Sequence, residues 1–203
     1  RMYSPAIGTG AAMDYLGQTG RDALKGADIL KTATEGYSST VEYAATPVGQ
    51  NFKGMAQVIL KGLGSRVLYT SHGGYDTHAN QVPVQNPLLS DLAAGIGDFF
   101  ADLKEHDAAD NVLMMVFTEF GRRVTDNGSG SDHGSGGGCY IIGEPVKGGM
   151  HGQYPSLREE DQLDGDLHFQ VDFRSVYSTI VDKWLGLDAK PVVGSSHEHL
   201  AFV

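Results

Sequence analysis

The sequence predicts an α/β layered fold with a mostly parallel sheet. Three observations carry that expectation. Helix-like and strand-like apolar periods alternate along the chain, which implies crossover connections and parallel pairing. Residues 112–117 (Val-Leu-Met-Met-Val-Phe) form a continuous apolar run, as in a strand buried on both faces. Residues 87–103 place Leu88, Leu89, Leu92, Ile96, Phe99, Phe100 and Leu103 on one helix face, with Asp91, Asp98 and Asp102 on the other.

Each element follows in order. Residues 9–34 carry Leu16, Ala23, Leu24, Ala27 and Leu30 at helical spacing, while Gly17, Gly20 and Gly26 predict a broken helix. Residues 35–49 read as a connection containing Pro47. Over 50–63, Phe52, Met55, Val58, Ile59 and Leu63 make an amphipathic stripe that Gly62 and Gly64 stop. Residues 66–70 (Arg-Val-Leu-Tyr-Thr) predict a short strand, central in the sheet together with 112–117, and it runs into the polar loop 71–78. Asn86 and Pro87 predict the start of the next helix, as cap and first helical residue. A third strand, 139–142, lies within the Gly-rich tract 121–152. Asp172 caps a last helix, with Phe173, Val176, Tyr177, Ile180, Val181, Trp184 and Leu185 facing inward and Gly186 ending it.

Composition narrows the function classes. A chain of 203 residues, 40% hydrophobic, can bury a sizeable core within a single domain spanning 1–203. With 15 basic and 25 acidic residues the net charge is −10, which argues against a non-specific nucleic-acid binder and against adsorption to anionic lipid. No apolar run reaches the ~20 residues of a membrane span. Cys139 is the single cysteine, so an intrachain disulfide framework and a Cys-rich zinc site are excluded.

Ligands of open parallel sheets bind beyond the carboxyl ends of strands. Two predicted strands end in polar clusters there, Asp76 with His78 and Glu119 with Arg122 and Arg123; Asp132 with His133 precedes another strand. Carboxylates and imidazoles converging from three loops suit a divalent metal with oxygen and nitrogen ligands. A cation would also relieve the mutual repulsion of packed acids. Each piece has a plainer reading. Asp-x-His in a Gly-rich loop also describes a turn with a satisfied histidine, and Glu119 also suits an ion pair with Arg122 or Arg123. The two arginines could solvate a loop or bind an anionic substrate group. His72 is a weaker candidate and His151 is ambiguous. His106 reads as a solvated group at a charged helix end, and His168, His197 and His199 as polar-segment or tail residues.

The order of motifs is more specific than any one of them. Residues 73–81 (Gly-Gly-Tyr-Asp-Thr-His-Ala-Asn-Gln), 117–124 (Phe-Thr-Glu-Phe-Gly-Arg-Arg-Val), 127–129, 131–134 (Ser-Asp-His-Gly), 148–149, 154–157 and 172–177 follow in turn. From about residue 50 to 187 this series resembles the bacterial family named domain of unknown function 1501, of the alkaline-phosphatase-like superfamily that includes sulfatases and phosphomutases. Ser131 stands where the family more often shows Thr. The resemblance implies a three-layer α/β/α sandwich with metals at the carboxyl edge of the sheet. It implies Asp76 and His78 as ligands of one metal, with Glu119, Asp132 and His133 completing the cluster and Arg122 or Arg123 orienting the substrate. Zinc is the first expectation, with manganese, magnesium or calcium as alternatives.

The resemblance further implies an exported protein, periplasmic or extracellular, in which this chain is the carboxyl-terminal part of a larger domain. The amino-terminal half, or another chain, would then supply the nucleophile, because Ser4, Thr9 and Ser38 lack chemistry that marks one. The function expected is metal-dependent hydrolysis of phosphate or sulfate esters. The alternative is a non-catalytic exported binding or assembly module with a structural or vestigial metal site, and a weaker third reading is a small intact domain using metal-bound water.

Overall fold

A computed structural model describes residues 10–203. It divides into two compact units. One contains the described residues through His72 together with Asp91–His106, the other Gly73–Ser90 together with Asp107–Val203.

The first unit is helical. α1 (Ala11–Lys31) runs unbroken through Gly17, Gly20 and Gly26, and leaves Leu16, Leu24 and Leu30 more than half exposed. α2 (Pro47–Leu60) begins earlier than its apolar stripe suggests. Thr46 caps it by accepting from the Gly49 N–H, and Pro47 sits at the first turn, where its missing N–H costs nothing. Gly62, at φ 67°, takes the left-handed turn after its end. α3 (Gln81–Glu105) also starts early, so that Pro87 lies inside it; its residues from Asp91 onward belong to this unit. Val48, Phe52, Ala56, Phe99 and Leu103 make the core, with Phe52 and Phe99 ring centroids 5.6 Å apart. Burying each such ring contributes about 1.5–3 kcal/mol.

A strap of residues 37–43 is bound to the last turn of α3. Tyr37 and Tyr43 hydroxyls donate to Asp102 Oδ2 at 2.7 and 2.8 Å, and Asp102 is fully buried. Glu105 accepts from the Thr40 N–H and hydroxyl. His106 donates from Nδ1 to the Asp102 carbonyl and from Nε2 to the Ser38 carbonyl, at 2.8 and 2.9 Å. Carbonyls only accept, so both ring nitrogens carry protons and the ring is a cation. Asp102 Oδ1 lies 3.2 Å from Nδ1 yet receives no hydrogen bond, because that N–H points at the backbone oxygen; the attraction there is ionic. His106 is therefore a structural cation and not the solvated group its charged neighbourhood suggests.

The second unit holds the strands and overturns the expected sandwich. β1 (Met114–Val116) pairs antiparallel with β4 (Tyr140–Ile142), Met115 opposite Ile141. β2 (Gly121–Arg122) pairs antiparallel with β3 (His133–Gly134). These are two small two-stranded antiparallel sheets, not a mostly parallel three-layer α/β/α sheet. Residues 66–70 form no strand among the described residues, and Val67 and Tyr69 are each 75% exposed. The reason lies in the connections. A parallel neighbour for β1 needs a crossover, usually a helix, whereas the Gly-rich connection from β1 to β4, residues 117–139, holds only the short β2–β3 pair and returns the chain antiparallel.

α4 (Phe173–Thr179) starts as expected, with the Asp172 side chain accepting from the Arg174 N–H. It continues as a π turn over Ile180–Trp184, and a short α5 (Lys190–Val193) follows. Val176, Ser178, Thr179, Ala189 and Phe202 are buried here. No helix among the described residues is long and apolar enough to cross a membrane.

Candidate metal centre

Two loops of the second unit carry the titratable cluster, and a web of hydrogen bonds fixes both. The first turns of α3 hold the loop with Asp76 and His78: Gln85 Nε2 donates to Thr77 Oγ1 at 2.8 Å and to the Tyr75 carbonyl at 3.1 Å. Tyr75 donates its hydroxyl to the Leu88 carbonyl. Asn127 organises the other loop. Its Oδ1 accepts from the Ser129 and Gly130 N–H groups, and its Nδ2 reaches the His78 carbonyl at 3.0 Å and Asp132 Oδ1 at 3.1 Å. Gly130 lies so close to His78 that a Cβ would stand 2.7 Å from that carbonyl oxygen. Gly121 is tighter still, with a Cβ placed 1.8 Å from the Gly136 oxygen.

These constraints bring three side chains to one point. Asp76 Oδ1 lies 2.9 Å from His78 Nε2 and 2.6 Å from His133 Nε2, and one ligating atom from each residue falls within 4.8 Å of the others. All three residues are exposed. The other ring nitrogen of His78, Nδ1, stands 3.0 Å from Asp132 Oδ1. The His133 ring is stacked on Phe120, centroids 3.8 Å apart and planes 10° from parallel.

The field at the site favours ionised carboxylates. The hydrogen bond from His133 holds Asp76 below the usual carboxylate range, helped by the charges of His133, His78 and Arg122. Asp132 is lowered mainly by its bond with His78, then by Asn127, with Arg123 contributing charge. Two imidazole nitrogens and a carboxylate oxygen form a common donor set for zinc. Tetrahedral ligands ~2.0–2.1 Å from such an ion stand about 3.3 Å apart, so the close pairs need to open by only about half an ångström. The donors fit a divalent cation.

The other residues singled out in the sequence fall around this point. Asp132 meets the cluster through His78. Glu119 is exposed and is not one of the three converging residues. Arg122 donates to the Ser131 and Tyr75 carbonyls, and Arg123 to the Asp164 carbonyl, with Asp166 Oδ1 3.6 Å from its Nε. Ser4 and Thr9 lie outside the described residues. Hydroxyls near in sequence are engaged, Thr77 as acceptor from Gln85, Ser129 as acceptor from the Asn80 N–H and Ser131 as donor to Gln81. Asn127 and Phe120 have no site role in the sequence reading; their signal is position, Phe120 beside Glu119 in the 117–124 motif and Asn127 in the 127–129 motif just before 131–134. A recess of about 340 Å³ in the first unit, lined by Leu30, Met55, Val58 and Leu68 among others, contains no carboxylate or imidazole.

The chain belongs to the family described as protein of unknown function (DUF1501), whose model matches residues 11–198. No curated protein and no solved structure matches it.

Proposed function

We propose that this DUF1501 chain holds a divalent cation on Asp76, His78 and His133 and serves in metal-dependent hydrolysis of phosphate or sulfate esters. The convergence of two imidazoles and a carboxylate from separate loops, within 4.8 Å and open to solvent, carries the reading. Such a donor set suits zinc best, ahead of manganese, magnesium or calcium, which prefer oxygen. Asp132 accepts from His78 Nδ1 and so turns Nε2 toward the cation. A bound cation would polarise the ester and neutralise charge on the attacking and leaving oxygens. Arg122 and Arg123 place positive charge near Asp76 and Asp132, which an anionic ester approaching a chain of net charge −10 would need. The exported location expected from the family resemblance belongs to this reading.

A binding or assembly module with a structural metal is the second reading. The engagement of Ser129 and Ser131 by protein groups favours it, Ser129 accepting from the Asn80 N–H and Ser131 donating to Gln81. Calorimetric titration with zinc, then an assay of the full-length protein on phosphomonoesters, phosphodiesters and sulfate esters with and without chelator, separates the two. Hydrolysis that chelator removes and Asp76→Ala abolishes is the expected result. Metal binding without hydrolysis moves the protein to the second reading, and absence of metal binding overturns both.

A further inference from the structure

We infer that Arg122 is a positioning residue that ties the two ligand-bearing loops together and sets the spacing of Asp76, His78 and His133. The inference rests on the metal reading above and concerns how that site is built. β2 places Arg122 directly opposite His133 in the antiparallel register. Its guanidinium then reaches across both loops. Nη2 donates to the carbonyl of Tyr75, the residue before Asp76, at 2.6 Å. Nη1 donates to the carbonyl of Ser131, the residue before Asp132 and His133, at 2.5 Å. The same guanidinium carbon lies 4.9 Å from the centroid of the Phe120 ring, which is stacked on His133.

One side chain thus touches the backbone just upstream of each ligand segment and, through Phe120, the face of one ligand ring. A planar guanidinium with several N–H groups in fixed directions can serve two carbonyls at once while lying against a ring. An ammonium on a flexible stem keeps the charge but not that fork. The carbonyls are main-chain atoms, so their positions fix where the following residues start. Loss of the fork lets the two loops drift independently, and ligand atoms that now lie within 4.8 Å would lose their common centre. Arg122 needs no contact with substrate for this role. Arg158 is its natural control: it carries the same charge, and its guanidinium binds Asp161 and Glu160 instead of either ligand loop.

The test is titration of the full-length protein with cobalt(II), read by calorimetry and by the visible ligand-field absorption. Arg122→Lys is expected to weaken binding ~10–100-fold, the range for supporting groups of metal ligands, and to alter the band shape. Arg158→Lys should change affinity less than about twofold. A thermal melt of each apo variant separates site disorder from unfolding. Should Arg122→Lys not fold, Arg122→Gln keeps an amide donor but loses the two-pronged fork, and is expected to weaken cobalt binding at least as much and to shift the spectrum. Native affinity and spectrum in a folded Arg122→Lys variant, or in Arg122→Gln where the first does not fold, overturn the inference and leave the metal reading standing. A native protein that binds no cobalt overturns both.

Discussion

The strap at the end of α3 and the loops around Asp76 use the same chemistry to opposite ends. Each sets an aspartate beside imidazole, with hydrogen-bond donors fixing the surroundings. In the first unit Asp102 is fully buried, and its partners are two tyrosine hydroxyls and a cationic His106. Burial pushes the Tyr37 hydroxyl up to about 12, with Asp102 as the next cause, and moves Tyr43 in the same direction for the same reasons. Those hydroxyls therefore stay protonated as donors. A carboxylate out of water is tolerated only with such a complement, and removing one partner strands the rest. In the second unit Asp76 is exposed, and ion pairs in solvent contribute little to stability. Bonds from Gln85, Asn127 and the Arg122 guanidinium hold its loops instead, leaving the ligand atoms of Asp76, His78 and His133 directed at one another. Burial, not residue type, separates a carboxylate that supports the fold from one free to serve a ligand.

The sharpest way to break this contrast is a pair of substitutions. Asp102→Ala should cost about 3–5 kcal/mol in urea denaturation, with cobalt affinity unchanged. Asp76→Ala should abolish cobalt binding in calorimetry and leave the urea midpoint of the metal-free protein in place. If Asp76→Ala unfolds the chain, the assignment of roles is wrong. Next in size, Asp132→Asn should lower metal affinity about 10–100-fold, because its amide no longer holds His78 as a carboxylate does.

A smaller effect lies in pH. His106 is raised above its ordinary 6.5, chiefly by the bond to the Asp102 carbonyl, so its stabilisation is full below 6.5 and fades as pH rises through the raised value. Glu105 is lowered below 4.5, chiefly by the Thr40 hydroxyl, so its contribution is full above 4.5 and fades as pH falls through the lowered value. Urea midpoints of the metal-free protein should therefore drop as pH rises above 6.5, and His106→Gln should flatten that alkaline decline. The smallest is Thr46→Ala, at about 1 kcal/mol for a lost helix cap, measured the same way and without effect on metal binding.

Local signals in the sequence were read more faithfully than pairings. Asp172 caps α4 as expected, and the 112–117 and 139–142 runs both contain extended segments. Their partnership was not legible, because apolar period reports a residue's own environment and says nothing of strand direction. Residues 66–70 have the alternation of a strand but expose Val67 and Tyr69, so the expected central pairing with 112–117 does not form. Asn86 and Pro87 predict the start of α3, because Pro usually marks a first turn, whereas the helix begins at Gln81. At the cluster, residue type and loop position point to Asp76, His78, Glu119, Asp132 and His133 together, of which Asp76, His78 and His133 converge and Glu119 does not. What lay beyond reach was the angular detail: that Asp132 faces the far nitrogen of His78, and that Arg122 points at carbonyls. Those depend on the β2–β3 register, which two residues per strand cannot announce.

The glycine-rich tract has a consequence for how the gene can drift. By composition it looks like filler, in which any small residue would do. Yet every single-base change that replaces a glycine adds a Cβ, and at Gly121 and Gly130 that atom has nowhere to go, meeting the Gly136 and His78 carbonyls. Gly138, with nothing within 4 Å and no positive φ, has room for one. In a saturation mutagenesis library selected for folded protein, Gly121 and Gly130 should come through as fixed letters while Gly138 accepts alanine and serine. The tract would then read as a ruler for backbone spacing, its invariance set by contact distances and not by chemistry.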